Sequence, residues 1–178
     1  MTSAHDTVRP EPFRLRDGRE VVVRRMRPDD AKRIAEFVER LSPEARRLRF
    51  FTPVRRLEAR FIEHLVNMDF VTRAAFVVTF PGNDDILAVG RYEAESEQSA
   101  EVAFVVQDEL QGQGVATELL EHLAVLARAN GLSRFTALML AENTDMLHVF
   151  QHAGYPITVK FESGVEMAEM EIGERREA

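Results

Sequence analysis

Gln111-Gly112-Gln113-Gly114-Val115-Ala116-Thr117 lies between the apolar run Val102-Ala103-Phe104-Val105-Val106 and a segment whose Leu119, Leu120, Leu123 and Leu126 recur at helical spacing. The first flank reads as a strand and the second as an amphipathic helix, so the glycines occupy a strand-to-helix turn. Small residues there keep side chains off the backbone, and successive N–H groups can then converge on phosphate oxygens. The helix that follows adds its positive dipole end, a contribution of about 0.3 to 2 kcal/mol. These residues alone leave two readings, a phosphate cradle and a turn with no ligand. A Walker loop is excluded because no Lys-Ser/Thr pair follows the glycines, and the full dinucleotide spacing is also missing.

Working outward, Phe13 to Arg16 and Glu20 to Arg24 read as a hairpin around Asp17-Gly18. Pro28-Asp29-Asp30 opens a helix with Ile34, Phe37, Val38 and Leu41 on one face. Ser42-Pro43-Glu44 reads as the N-cap of a short basic helix running to Arg49, and a further amphipathic helix covers Leu57 to Val66. Strands are expected at Ala74 to Phe80, Ile86 to Ala94 and Ala100 to Val106. The helix after the glycine loop should run from Gln113 to Asn130 and stop at Gly131. A strand from Arg134 to Leu140, a helix from Asn143 to His152 and strands near Ile157 to Phe161 and Val165 to Met170 complete the order. Residues 1–12 read as a flexible tail, 13–173 as a single α/β domain and 174–178 as a short C-terminal tail.

The 178 residues carry a net charge of −7, distributed unevenly: +6 over residues 1–60 and −13 over the remainder. The acidic part argues against a nucleic-acid binder and suits a cationic substrate. No apolar run reaches the roughly 18 residues needed to span a membrane, and a cytoplasmic location is the expectation. The sequence contains no cysteine, which excludes disulfides and thiolate catalysis. His148 and His152 are four residues apart, but no third ligand accompanies them and no metal site is predicted.

Gln111, Gly114 and Ala116 fit the pattern Gln/Arg-x-x-Gly-x-Gly/Ala, with Gly112 as a further small residue, and from Val21 to Ile172 the chain resembles the Gcn5-related N-acetyltransferase (GNAT) superfamily. The resemblance implies a mixed central sheet of six to seven strands with flanking helices. It also implies acetyl-CoA as cosubstrate, its pyrophosphate on Gln111, Gly112, Gln113, Gly114, Val115, Ala116 and Thr117, and its pantetheine along Phe104, Val105 and Val106. Asn143, followed by Gly154-Tyr155, matches the superfamily asparagine that contacts the cofactor arm, although an ordinary N-cap role is equally open. Phe150 stands at or next to the place of a tyrosine that protonates the leaving thiolate in many members. Phenylalanine has no proton to give, so water or another hydroxyl must serve, and Tyr155 is more readily a core residue.

Acyl transfer to an amine requires the neutral amine, and a lysine with pKa near 10.4 spends roughly 4 kcal/mol to reach it at neutral pH. Glu101, at the start of the strand leading into the loop, is the candidate general base, with partial burial expected to raise its pKa. Ser99-Ala100-Glu101-Val102-Ala103 resembles the glutamate-bearing segment of bacterial protein lysine acetyltransferases of the Pat type. Leu41-Ser42-Pro43-Glu44-Ala45-Arg46-Arg47-Leu48-Arg49-Phe50-Phe51 resembles the Leu-Ser-Pro-Glu-Ser-x-x-x-Arg-Phe-Phe block of the same enzymes, which modify the active-site lysine of acyl-CoA synthetases. The resemblance therefore implies a protein acceptor, an acyl-CoA synthetase. A small-molecule amine acetyltransferase and a non-catalytic acyl-CoA-binding sensor are the alternatives.

Overall fold

The computed structural model describes residues 9–52 and 54–173. The C-terminal tail and most of the N-terminal one lie outside the described residues. The strands are β1 (Glu11–Arg14), β2 (Glu20–Arg25), β3 (Arg73–Thr79), β4 (Ala88–Ala94), β5 (Ser99–Val106), β6 (Arg134–Leu140), β7 (Ile157–Glu162) and β8 (Val165–Glu171). The helices are α1 (Ala31–Arg40), α2 (Pro43–Phe50), α3 (Ala59–Val66), α4 (Val115–Ala129) and α5 (Thr144–Gln151). The α/β GNAT fold expected from the sequence is present, with one strand more than the upper estimate: eight, ordered β1-β2-β3-β4-β5-β6-β8-β7. The first strand also begins inside the span expected to be tail, with Glu11 opposite Val23. Pro12 is tolerated there because an edge strand needs no inward N–H from every residue.

Alternation along β3 shows how the two layers form. Ala74, Phe76 and Val78 join one apolar cluster with α4 and α5, while Ala75 and Val77 join another with α1, α2 and α3. The chain alternates between the faces because successive side chains of a strand point oppositely. Helix α4 buries Val115, Leu119, Leu120, Leu123, Ala124 and Ala127 on β3 to β5. Gly90 permits the close approach, since a Cβ there would lie 3.0 Å from Leu119 Cβ and from the Phe104 ring. Among the described residues no helix is long and apolar enough to cross a membrane.

One seam differs from all the others. The sheet is antiparallel except between β5 and β6, which run parallel and pair only at Ser99↔Arg134, Ala100↔Phe135 and Glu101↔Thr136. Both strands continue, to Val106 and Leu140 respectively, so they diverge after Glu101. The β6-facing edge of β5 is thereby left without a partner strand.

The substrate-side layer is anchored by a buried ion pair. Arg24 of β2 donates two hydrogen bonds, at 2.8 and 2.9 Å, to the Asp30 carboxylate, which also accepts the Arg27 backbone N–H at 2.8 Å. Asp30 is fully buried just before α1. Burial pushes its carboxyl up, but the Arg24 and Arg27 bonds outweigh it and hold it below the usual carboxylate range. A lowered folded-state pKa stabilises above the unfolded value of about 3.9, and that contribution disappears as pH falls through the folded value. Asp30→Ala, which leaves Arg24 only the more distant Asp84 carboxylate at 3.8 Å, is expected to cost about 3 kcal/mol in urea unfolding at pH 7. The deficit relative to wild type should shrink below pH 4.

Candidate functional site

The glycine loop takes its shape from two residues in the left-handed region, Gly112 at φ +73° and Gly114 at φ +90°. They delay the helix, so α4 starts at Val115 with Gly114 as N-cap rather than at Gln113 as the sequence pattern predicts. The Gln111 side chain donates to the Val106 carbonyl (3.3 Å) and to Asp108 Oδ1 (3.2 Å), tying the loop to the end of β5. Gln113 Oε1 accepts the Asp17 N–H at 3.0 Å. Its side chain is thus engaged with the β1–β2 turn and, unlike the loop glycines, does not line the cavity beside the loop.

Three cavities meet around the diverging strands. The central one, about 200 Å³, lies in the split, between Glu101 to Phe104 of β5 and Ala137 to Met139 of β6, and is closed by α2 and α5. A second, about 410 Å³, extends along Phe104 to Val106, Gln111, Gly112 and Gly114 to Thr117. It shares Leu48, Arg49, Phe104, Asn143 and Met146 with the first. A third, about 440 Å³, opens on the α3 side among Phe61, His64, Arg91 and Glu93, and shares Arg49, Glu101 and Ala103 with the first. Apart from Gln113, the predicted site residues thus line one passage, with the loop at one end and Glu101 where the central and third cavities join.

Asn143 fills the N-cap role, its side chain accepting the Met146 N–H at 3.2 Å, and the residue also lines the first two cavities. Phe150 is buried, edge-on to Phe104 at 6.0 Å, and forms part of the central cavity wall. Tyr155 lines none of the three cavities; its hydroxyl donates to Glu121 at 2.5 Å and accepts from Arg128 at 3.0 Å within the core.

Glu101 is exposed, where the sequence led us to expect partial burial. It borders both the central and the third cavity. Directly across the β4–β5 ladder stands Glu93, which Arg91 holds at 2.6 Å and His64 at 3.1 Å. Burial pushes Glu93 up, but the His64 hydrogen bond and the Arg91 and Arg73 charges hold it below the usual carboxylate range. Among the described residues Glu101 itself has no hydrogen bond and no cation within 4.0 Å, which leaves its oxygens available to a ligand. Arg49 borders all three cavities. Burial lowers its guanidinium to about 10, the Arg91 charge acting in the same direction and Glu101 against it, so it remains a cation at neutral pH.

Sequence reasoning did not place Arg16, His64 or Arg91 near the site. Arg16 borders the loop cavity, and His64 and Arg91 the third cavity. Only the alternation of β4, which puts Arg91 and Glu93 on one face, offered a signal for any of them. His148 and His152 stack with ring centroids 3.9 Å apart and border the loop cavity.

Comparison with known proteins agrees with this architecture. The family model described as an acetyltransferase (GNAT) domain matches residues 20–156. The chain is similar to an acetyltransferase of Pseudomonas aeruginosa, 33% identical over 135 residues, covering 74% of this chain and 73% of the relative. It is also similar to acetyltransferase Pat of Mycolicibacterium smegmatis, 29% identical over 167 residues and 93% of this chain, but spans only 50% of that relative. Among solved structures, the GNAT domain of S. lividans PAT superimposes with a TM-score of 0.83 at 39% identity, over 91% of this chain and 96% of that one.

The loop geometry sets a test. Gly114→Glu forces a side chain into a φ of +90° and adds a negative charge where phosphates are expected. The dissociation constant of acetyl-CoA, measured calorimetrically, should rise by more than about tenfold. Unchanged affinity would remove the loop from the binding site.

Proposed function

The chain belongs to the GNAT acetyltransferase family, and within it we propose that it acts as a protein lysine N-acetyltransferase whose acceptor is the active-site lysine of an acyl-CoA synthetase. The observation that carries this reading is the position of Glu101, an unpaired carboxylate at the junction between the split in the sheet and the cavity on the α3 side. Acetyl-CoA is the cosubstrate. Its pyrophosphate sits on the amides of Gln111 to Thr117, and its pantetheine runs along the partnerless edge of β5, where backbone groups beside Phe104, Val105 and Val106 can take the hydrogen bonds a neighbouring strand would make. The thioester then lies in the central cavity between Asn143, Phe150 and Glu101.

The acceptor amine enters from the third cavity. Glu101 takes its proton, directly or through one water, and the neutral nitrogen attacks the thioester carbon. The C–N bond forms, the C–S bond breaks, and the negative charge developing on the carbonyl oxygen is met by β5 amides. CoA leaves as the thiolate and is protonated by water, since Phe150 carries no proton to donate. Transfer is direct, in a ternary complex, because the sequence has no cysteine to carry the acyl group.

Support for a protein acceptor comes from the Leu41 to Phe51 block. It forms α2, capped as expected by Ser42 Oγ accepting the Ala45 N–H at 3.1 Å, and it brings Leu48 and Arg49 to the passage. The similarity to Pat and to S. lividans PAT points the same way. A cytoplasmic location accords with the use of acyl-CoA.

Two measurements test the proposal. Incubated with acetyl-CoA and a purified acyl-CoA synthetase, the protein should acetylate the synthetase's active-site lysine, read by mass spectrometry. Acetylation of polyamines or aminoglycosides in place of the synthetase would reassign the acceptor to small molecules. Glu101→Gln should lower turnover by about 100-fold or more, as loss of a general base does, with acetyl-CoA affinity near wild type. Equal turnover would remove Glu101 from the chemistry.

A further inference from the structure

The turn between β1 and β2 carries three arginines around it, and they differ in one respect. Arg14 is paired with Glu20 at 3.0 Å, and Arg19 with Asp17 at 2.7 Å. Arg16 has no carboxylate within 4.0 Å among the described residues. It instead donates through Nη1 to the carbonyl of Gly112, at 3.1 Å, across 96 residues of sequence. The neighbouring Asp17 N–H binds Gln113 Oε1 at 3.0 Å, and a Cβ on Gly114 would lie 3.5 Å from the Phe13 ring. The hairpin is therefore pressed against three successive residues of the glycine loop, and its one uncompensated guanidinium borders the cavity beside that loop.

A single bond to a carbonyl uses only part of the guanidinium fork, which leaves N–H donors and a full positive charge at the cavity rim. On the opposite wall α5 contributes His148, His152 and Asp145. The Asp145 carboxylate does not pair with Arg16 within 4.0 Å, so it does not neutralise that charge. The cavity also holds the α4 N-terminus and the loop amides. These are neutral donors, and Arg49, the cavity's other guanidinium, also borders the central and third cavities beside Glu101, so a ligand with several phosphate charges would leave much of its charge uncompensated at the loop end without Arg16.

We infer that Arg16 is an additional phosphate-binding residue, delivered by the β1–β2 hairpin, that supplies the formal positive charge the glycine loop lacks. The inference rests on the loop holding the phosphates of acetyl-CoA, as proposed above. Arg16 would grip either the pyrophosphate or the 3′-phosphate of the adenosine, which share the chemistry that a guanidinium recognises.

Calorimetric titration with acetyl-CoA, 3′-dephospho-acetyl-CoA and S-acetylpantetheine tests it. Arg16→Gln should weaken acetyl-CoA by about tenfold, the loss expected of one charge-assisted hydrogen bond, and flatten the salt dependence of binding. Arg16→Lys should recover most of that loss. S-acetylpantetheine, which carries no phosphate, should bind Arg16→Gln and wild type alike. The control Arg14→Gln, on the same hairpin but paired with Glu20, should leave acetyl-CoA binding unchanged. If Arg16→Gln weakens dephospho-acetyl-CoA as much as acetyl-CoA, the pyrophosphate is the partner; if it weakens acetyl-CoA alone, the 3′-phosphate is. Equal acetyl-CoA affinity in Arg16→Gln and wild type would overturn the inference, as would an equal loss for S-acetylpantetheine, which marks a general disturbance of the domain; a loss for acetyl-CoA that Arg16→Lys does not recover and that leaves the salt dependence unchanged would mark Arg16 as a brace for the loop only. Wild type binding acetyl-CoA no better than S-acetylpantetheine would instead overturn the phosphate-loop reading itself.

Discussion

The site depends on two parallel strands that stop pairing. β5 and β6 share three residue pairs, ending at Glu101↔Thr136, and then separate while each continues. A buried strand edge without a partner leaves backbone donors and acceptors that must be satisfied by something else. The divergence creates the gap that a linear amide-bearing ligand can enter. Glu101 stands at the last paired position, and the glycine loop follows at the far end of the same strand. One interruption in hydrogen bonding thus fixes Glu101, the open edge and the loop relative to one another.

Much of the fold was legible because its signals are local. Ser42 caps α2 as its hydroxyl chemistry requires, Gly131 ends α4 in the left-handed region at φ +85°, and the leucine periodicity of α4 names the face it buries. Gln111, Gly114, Ala116 and Asn143 were likewise legible, since glycine spacing and an N-cap are features of neighbouring residues. Boundaries were less so. The sequence pattern started α4 at Gln113, but the positive φ of Gly114 keeps the helix from forming until Val115.

What was not legible is what depends on pairing between distant segments. Arg16 and Gly112 meet because the β1–β2 turn happens to end beside the loop, and nothing in either stretch announces the other. His64 of α3 and Arg91 of β4 converge on Glu93, with His64 29 residues away in sequence, and the exposure of Glu101 depends on which distant elements pack around the split. The count of six to seven strands came from the resemblance alone, whereas the residue-by-residue reading already gave eight, with β1 as one arm of a hairpin. β1 contributes only four residues to the edge, and its stability comes from its hairpin partner more than from any pattern of its own.

The contacts that clasp the loop also bear on the entropy of binding. Glycines lose more conformational freedom on ordering than other residues, and a loop rich in them would ordinarily surrender that freedom at the moment of binding. Here Arg16 and Asp17 hold Gly112 and Gln113 through contacts within the fold itself, so that entropy is lost during folding instead. On the reading proposed above, a ligand that docks on the loop meets a surface already shaped, and ordering of the loop takes nothing from its affinity. The hairpin makes the binding surface rigid before the ligand arrives, at the expense of the stability of the domain and not of its affinity.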